Sequence, residues 1–83
     1  MKYEYPGGVS ECEVPLIDKF EREVLPYTEK MGPYIGEAAV QGDMDAEEII
    51  RRQRLFCFGL PEMRKTNLAW LVSAIKRWEG KRQ

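Results

Sequence analysis

The side chains that most often carry out catalysis are scarce in this chain of 83 residues. It contains no histidine, which removes the commonest general base and the commonest metal ligand. The hydroxyl groups of Ser10, Thr28, Thr66 and Ser73 have no evident partner in the sequence that would activate them as nucleophiles. We therefore expect no enzyme, no catalytic residues and no cofactor.

The two cysteines are also poor candidates for reactive chemistry. Cys57 lies between Phe56 and Phe58, in surroundings typical of a buried and unreactive thiol. A disulfide between Cys57 and Cys12 is the minor alternative. So few cysteines favour a reducing compartment, and we expect a cytoplasmic protein.

An acidic cluster between Asp43 and Glu48 is the remaining candidate for metal binding. It lacks the alternating ligands and central glycine of a calcium-binding loop, so no metal site is expected. Asp45 and Glu48 have instead the spacing of a capping box. Asp45 is therefore predicted to cap the start of a helix.

Charge is distributed unevenly along the chain, although the formal net charge is only −1. Up to Glu48 there are four basic and twelve acidic side chains, whereas nine basic and two acidic side chains follow it. Such a separation is typical of a chain that meets a charged partner or packs one half against the other.

The best candidates for a contact surface are tryptophan, tyrosine and arginine, because these residue types contribute most of the binding energy in many interfaces. Trp70 lies at the edge of the apolar face predicted for the last helix, and Trp78 lies within it. Core packing is the commoner explanation for both tryptophans, and an exposed surface of tryptophan and arginine is the alternative. The predicted partner-binding residues are Trp70, Arg77, Trp78, Arg51, Arg52, Arg54, Tyr27 and Tyr34.

The elements that position these residues are predicted to form one mainly helical domain over residues 1–83. Residues 1–14 are predicted to form a short β-hairpin or an extended arm around the turn signal Pro6-Gly7-Gly8. The first helix is predicted over residues 15–31, with a kink or end at Pro26 and a break at Gly32-Pro33. Tyr34 to Gln41 is predicted as a separate short helix.

Two further helices complete the predicted bundle of about three principal helices. A basic helix is predicted over residues 45–58, ending before Gly59, and an amphipathic C-terminal helix over residues 61–79. Arg64 falls on the apolar face of the last helix, so it is expected to snorkel or to pair with an acid. The predicted core is Leu16, Ile17, Phe20, Val24, Ile35, Ile49, Ile50, Phe56, Leu68, Leu71, Val72 and Ile75.

The segment Phe58-Gly59-Leu60-Pro61-Glu62 leads into the last helix, after a predicted hairpin and helices that together occupy about eighty residues. This layout is similar to that of small phage tail assembly chaperones, and the similarity extends over the chain. The acidic residues expected in the last helix of that family are absent here. The resemblance implies a phage-type assembly chaperone as a further alternative and is not used to assign a family.

These observations favour a non-enzymatic protein–protein interaction module: a small accessory, adaptor or inhibitor protein with a charge-polarised surface. Charge would steer the encounter, and tryptophan and tyrosine anchors would supply affinity. Another protein is the expected partner, and complementary ends also favour self-association into an oligomer. Nucleic acid bound by the basic C-terminal half is the alternative. No apolar run reaches the ~20 residues that span a bilayer, so no membrane partner is expected.

Overall fold

The computed structural model describes Tyr5 and residues 8–82, except for the side chain of Arg82. Over this part of the chain it shows three long helices and no strand, which confirms the predicted small helical bundle. The first helix, α1, consists of Val14–Lys19, a π-helical turn at Phe20–Val24, and Leu25–Val40. The other two are α2, Met44–Phe58, and α3, Arg64–Arg82.

The predicted break at Gly32-Pro33 is wrong, because α1 continues through Pro33 to Val40. A proline ring clashes with the Cβ of the residue before it, and Gly32 has no Cβ, so helical backbone is tolerated here. Pro26 follows the π-helical turn, in which the Leu25 amide bonds to the Phe20 carbonyl. This wider turn accommodates the proline within the helix. The separate short helix predicted from Tyr34 is therefore the end of α1.

The start of α1 also differs from the prediction, because residues 11–14 are helical. Glu11–Glu13 forms a 3-10 turn that leads directly into Val14. One carboxylate oxygen of Glu13 accepts hydrogen bonds from the Ser10 amide at 3.2 Å and the Ser10 hydroxyl at 3.0 Å. These bonds fix a helix start where the alternation of residue types suggested a strand. The rest of the predicted hairpin or arm, residues 1–4, 6 and 7, lies outside the described residues.

A three-residue turn of defined geometry, residues 41–43, joins α1 to α2. The Gly42 amide bonds to the Ala39 carbonyl at 3.0 Å, and the Asp43 amide bonds to the Ala38 carbonyl at 2.9 Å. This is a Schellman motif, whose C′ position requires positive φ, and Gly42 has φ +95°. Asp43 then caps α2, since its Oδ1 accepts from the amides of Asp45 and Ala46 at 2.9 and 3.1 Å. The helix cap is thus Asp43, and the prediction of Asp45 was wrong.

Most of the predicted core is confirmed. The buried residues include Ile17, Phe20, Val24, Ile35, Ile49, Phe56, Leu68 and Leu71, while Leu16, Ile50, Val72 and Ile75 are half-buried around them. Phe20 of α1 stacks on Phe56 of α2 with ring centroids 4.3 Å apart. The core also contains residues absent from the prediction: Tyr5, Leu25, Ala46, Cys57, Ala74 and Trp78.

Both cysteines are free thiols, so the alternative of a disulfide between them is wrong. Cys12 is exposed, whereas Cys57 is buried among the core side chains. Burial raises the pKa of the Cys57 thiol, because the thiolate is poorly solvated there. Cys57 is therefore the unreactive core thiol that its neighbours predicted.

Arg64 is completely buried at the pole of the bundle where three helix ends meet. Its Nη1 donates to the Gly8 carbonyl at 2.9 Å and to Glu13 Oε2 at 3.1 Å, and its Nε donates to the Phe56 carbonyl at 3.3 Å. The guanidinium carbon lies 5.2 Å from the ring centroid of Tyr5, a cation–π arrangement. The expectation that Arg64 pairs with an acid is confirmed, and the pair joins the start of α1 to the end of α2 and the start of α3.

Replacing Gly42 by alanine should lower the free energy of unfolding by roughly 1 kcal/mol, because an L-residue at this positive φ is strained. A Cβ there would meet no atom within 4 Å, so the cost is conformational. Gly36 is the matched control, since its Cβ also meets nothing but lies inside α1. Gly36→Ala should stabilise by about 0.5–1 kcal/mol. Urea unfolding measures both, and equal effects of the two substitutions would contradict this account of the turn.

Arg64→Met should lower the free energy of unfolding by roughly 3 kcal/mol or more, since it leaves Glu13 and two carbonyls without their buried donor.

Hydrogen bonds from Ser10, joined by the charge of Arg64, hold the pKa of Glu13 below its ordinary value of 4.5. Glu13 therefore adds stability above that pH, which is lost as the pH falls through the folded-state pKa.

Glu13→Gln isolates this pH dependence. The stability difference between the native chain and Glu13→Gln, from urea unfolding at several pH values, should be largest near neutral pH and shrink toward about pH 3. A difference that does not change with pH would show that the Glu13 charge does not stabilise the fold.

Candidate partner-binding surface

Helices α2 and α3 are antiparallel and are joined along one side by ionic contacts. Asp45 at the start of α2 accepts from Arg77 Nε at 3.0 Å and pairs with Lys81 at 3.2 Å. Partial burial alone would raise the pKa of Asp45, but the hydrogen bonds from Arg77 and Lys81 outweigh it and lower that pKa. Arg77, a predicted partner-binding residue, is thus largely engaged within the bundle.

Much of the charge separation in the sequence is neutralised in this way. Of the nine basic residues after Glu48, five form ion pairs with carboxylates of the first half: Arg51, Arg52, Arg64, Arg77 and Lys81. Within the described side chains, Arg54, Lys65 and Lys76 form no ion pair. The basic surface is therefore smaller than the sequence suggests.

Trp70 and Arg52 form the best-defined feature of the surface. The guanidinium carbon of Arg52 lies 5.0 Å from the ring centroid of Trp70, and the indole remains 43% exposed. Arg52 is itself held in place, because Nε donates to Glu48 Oε1 at 3.0 Å and Nη1 donates to Asn67 Oδ1 at 2.9 Å. A partly buried network of hydrogen bonds thus holds the Arg52 guanidinium over the face of an exposed indole.

A shallow depression of about 420 Å³ lies beside this indole. Its walls are formed by α3 residues Lys65, Thr66, Ala69, Trp70 and Ser73. Lys65 forms no ion pair with the described residues, so its charge is open to a partner. We call Arg52, Trp70 and the depression the Trp70 surface.

Trp78 and Tyr27 lie elsewhere. Trp78 is 2% exposed and packs edge-on against Tyr27, with ring centroids 6.4 Å apart. Trp78 is therefore a core residue, and its selection as an exposed anchor is corrected. Tyr34 is exposed near the end of α1, where it lines a separate depression with Asp43 and Lys81. The predicted set does not converge on one site.

Arg51 and Arg54 lie on a different side of α2 from Arg52, which faces Trp70. Arg51 pairs with Glu48, the same carboxylate that holds Arg52. Burial would raise the pKa of Glu48, but the hydrogen bonds from both arginines lower it. Arg54 lines a groove of about 440 Å³ with Ala39, Ile50 and Leu55, away from Trp70.

Sequence reasoning missed several residues that shape these surfaces. Asn67 lies one helical turn before Trp70, and this spacing was the signal that could have identified it as part of the same edge. The exposed apolar side chains Met44, Leu55 and Phe58 were also missed. They lie on the side of α2 opposite Ile49 and Phe56, which a helical projection of the sequence places there.

Within the described residues, no three acidic, cysteine or histidine side chains are grouped as metal ligands would be. No helix in this part of the chain combines the length and apolar character needed to cross a bilayer. Comparisons with protein-family models, with curated proteins and with solved structures find no significant match. The geometry of the surfaces therefore carries the functional argument.

The two tryptophans should respond oppositely to truncation. Trp78→Ala should lower the free energy of unfolding by about 3–5 kcal/mol, because it leaves a large cavity in the core. Trp70→Ala should lower it by at most about 1 kcal/mol, the contribution of an exposed cation–π contact. Thermal and urea unfolding compare the two variants, and a large loss of stability in Trp70→Ala would show that Trp70 is structural.

Proposed function

We propose that this chain is a non-enzymatic protein–protein interaction module that binds a protein partner through the Trp70 surface. The observation that carries the proposal is an exposed indole that packs against the Arg52 guanidinium, which Glu48 and Asn67 hold in place. An anchor that is already ordered loses little conformational entropy on binding, so more of its contact energy appears as affinity. Tryptophan and arginine are also the residues most enriched among interface hot spots.

The chemistry of the surface indicates what the partner presents. The indole and the neighbouring Ala69 accept an apolar or aromatic side chain, and the unpaired Lys65 favours an acidic group at the rim. A module that binds a protein partner and catalyses no reaction would act as an accessory, adaptor or inhibitor protein. A reducing, cytoplasmic compartment is part of the proposal and is supported by the free thiols of Cys12 and Cys57.

The alternatives have less support. Nucleic-acid binding would depend on the nine basic residues of the second half. Five of these nine form ion pairs with carboxylates of the chain itself. Phosphate contacts need free cations, so fewer of them would remain for a nucleic-acid backbone. A phage-type assembly role depends on layout alone, and no contact in the described residues adds to it.

Trp70→Ala should abolish capture of the partner. The immobilised chain is exposed to extracts of its source cells, and retained proteins are quantified by mass spectrometry for the native chain and for Trp70→Ala. A hot-spot tryptophan predicts a loss of at least about tenfold in the retained partner. Met63→Ala is the matched control, because Met63 is 44% exposed and lies outside the Trp70 surface.

Nuclease treatment and a salt series distinguish binding to a protein partner from binding to nucleic acid. Nucleic acid would be favoured if nuclease removes the binding. It would also be favoured if binding falls steeply with salt concentration and is the same for Trp70→Ala as for the native chain. A set of retained proteins that is the same for the native chain, Trp70→Ala and Met63→Ala would refute the Trp70 surface as the binding site.

A further inference from the structure

The outward side of α2 carries a stripe of side chains that nothing in the described structure covers. Its members recur every three or four residues, with Arg54 and Leu55 adjacent at one of these steps, as one face of a helix requires, and all are exposed. Met44 and Phe58 at its ends are 78% and 69% exposed. We call this the α2 stripe: Met44, Glu47, Arg51, Arg54, Leu55 and Phe58.

The charges of the α2 stripe are ordered along the helix. Glu47 lies near the N-terminal end and Arg54 near the C-terminal end. Neither forms an ion pair within the described side chains, whereas Arg51 between them pairs with Glu48, a carboxylate that Arg52 shares. The stripe therefore has one open negative charge and one open positive charge, placed about equally far from Arg51.

We propose that the α2 stripe pairs with the α2 stripe of a second copy of this chain, antiparallel, around a two-fold axis near Arg51. In that arrangement Glu47 of each copy faces Arg54 of the other, and Met44 of each copy faces Phe58 of the other. Each of these two contacts then occurs twice, as a two-fold interface requires, and the two Arg51 side chains, each paired with Glu48 of its own chain, meet near the axis. Parallel pairing is disfavoured, because it places Glu47 against Glu47 and Arg54 against Arg54.

The size of the stripe sets the strength of the dimer. A helix of 15 residues is about 22 Å long, so a single helix pair buries less than the roughly 1,200 Å² of a standard interface. We therefore expect a weak dimer, with a dissociation constant on the order of tens of micromolar.

The α2 stripe is separate from the Trp70 surface, and the inference does not rest on the proposed function. Arg51 and Arg52 diverge by about 100° around the helix, so Arg52 and Trp70 lie to the side of the stripe. A dimer would leave both Trp70 surfaces open.

A charge-swap series measured by sedimentation equilibrium tests this pairing. Glu47→Arg and Arg54→Glu, made singly, each place like charges opposite one another and should weaken self-association at least about fivefold at low salt. The double variant Glu47→Arg with Arg54→Glu reverses both charges and should restore the native dissociation constant to within about twofold. Both positions are exposed, and circular dichroism checks that each variant folds.

Recovery in the double variant is the decisive result, since loss of fold or of general charge cannot produce it. The inference is overturned if the native chain stays monomeric up to about 1 mM. It is also overturned if the single variants associate like the native chain, if the double variant remains weak, or if Trp70→Ala alone abolishes the dimer.

Discussion

The guanidinium of Arg64 is removed from water, and its Nε and Nη1 donate to groups from three separate parts of the chain, while its Nη2 is buried without a hydrogen-bond partner among the described residues. Glu13 supplies the opposite charge, and carbonyls of Gly8 and Phe56 accept two of its hydrogen bonds. The Phe56 carbonyl belongs to the last turn of α2, where carbonyls have no N–H donor within the helix and a cation is favourable. The relative placement of the helix ends is therefore tied to one side chain, because any shift leaves a buried charge without its partners.

The electrostatic asymmetry of the sequence has a different role in the folded chain. It is directed largely inward: the acidic start of α2 meets the basic end of α3, and Glu48 holds two arginines. What remains outside is local, namely an oriented indole on one side of α2 and a stripe of mixed apolar and charged groups on another. Specific small surfaces, and not a global dipole, are what a partner would meet.

Helical periodicity placed the last two helices to within about three residues. Residues 45–58 compare with Met44–Phe58, and residues 61–79 compare with a 3-10 turn at Pro61–Met63 followed by α3, which continues to Arg82. Periodicity failed where the conformation allowed to one residue depends on its neighbour. Pro33 is compatible with a helix here because Gly32 precedes it. Trp70 and Trp78 differ by about 80° on α3, so spacing alone could not separate an exposed from a buried indole. The contact between Arg52 and Trp70 joins two helices, and pairs so distant in sequence leave no periodic signal.

The turn between α1 and α2 has a consequence for how the chain tolerates changes in length. Asp43 closes the Schellman motif with its amide and caps the following helix with its carboxylate, so the C-terminal motif of α1 and the N-cap of α2 share this one residue. An insertion of one residue there would rotate α2 by about 100° about its axis. Phe56 would then leave Phe20, and the outer face would turn inward. Most surface loops accommodate insertions. We expect this turn not to accommodate them, because it sets the rotation of α2 about its axis relative to α1.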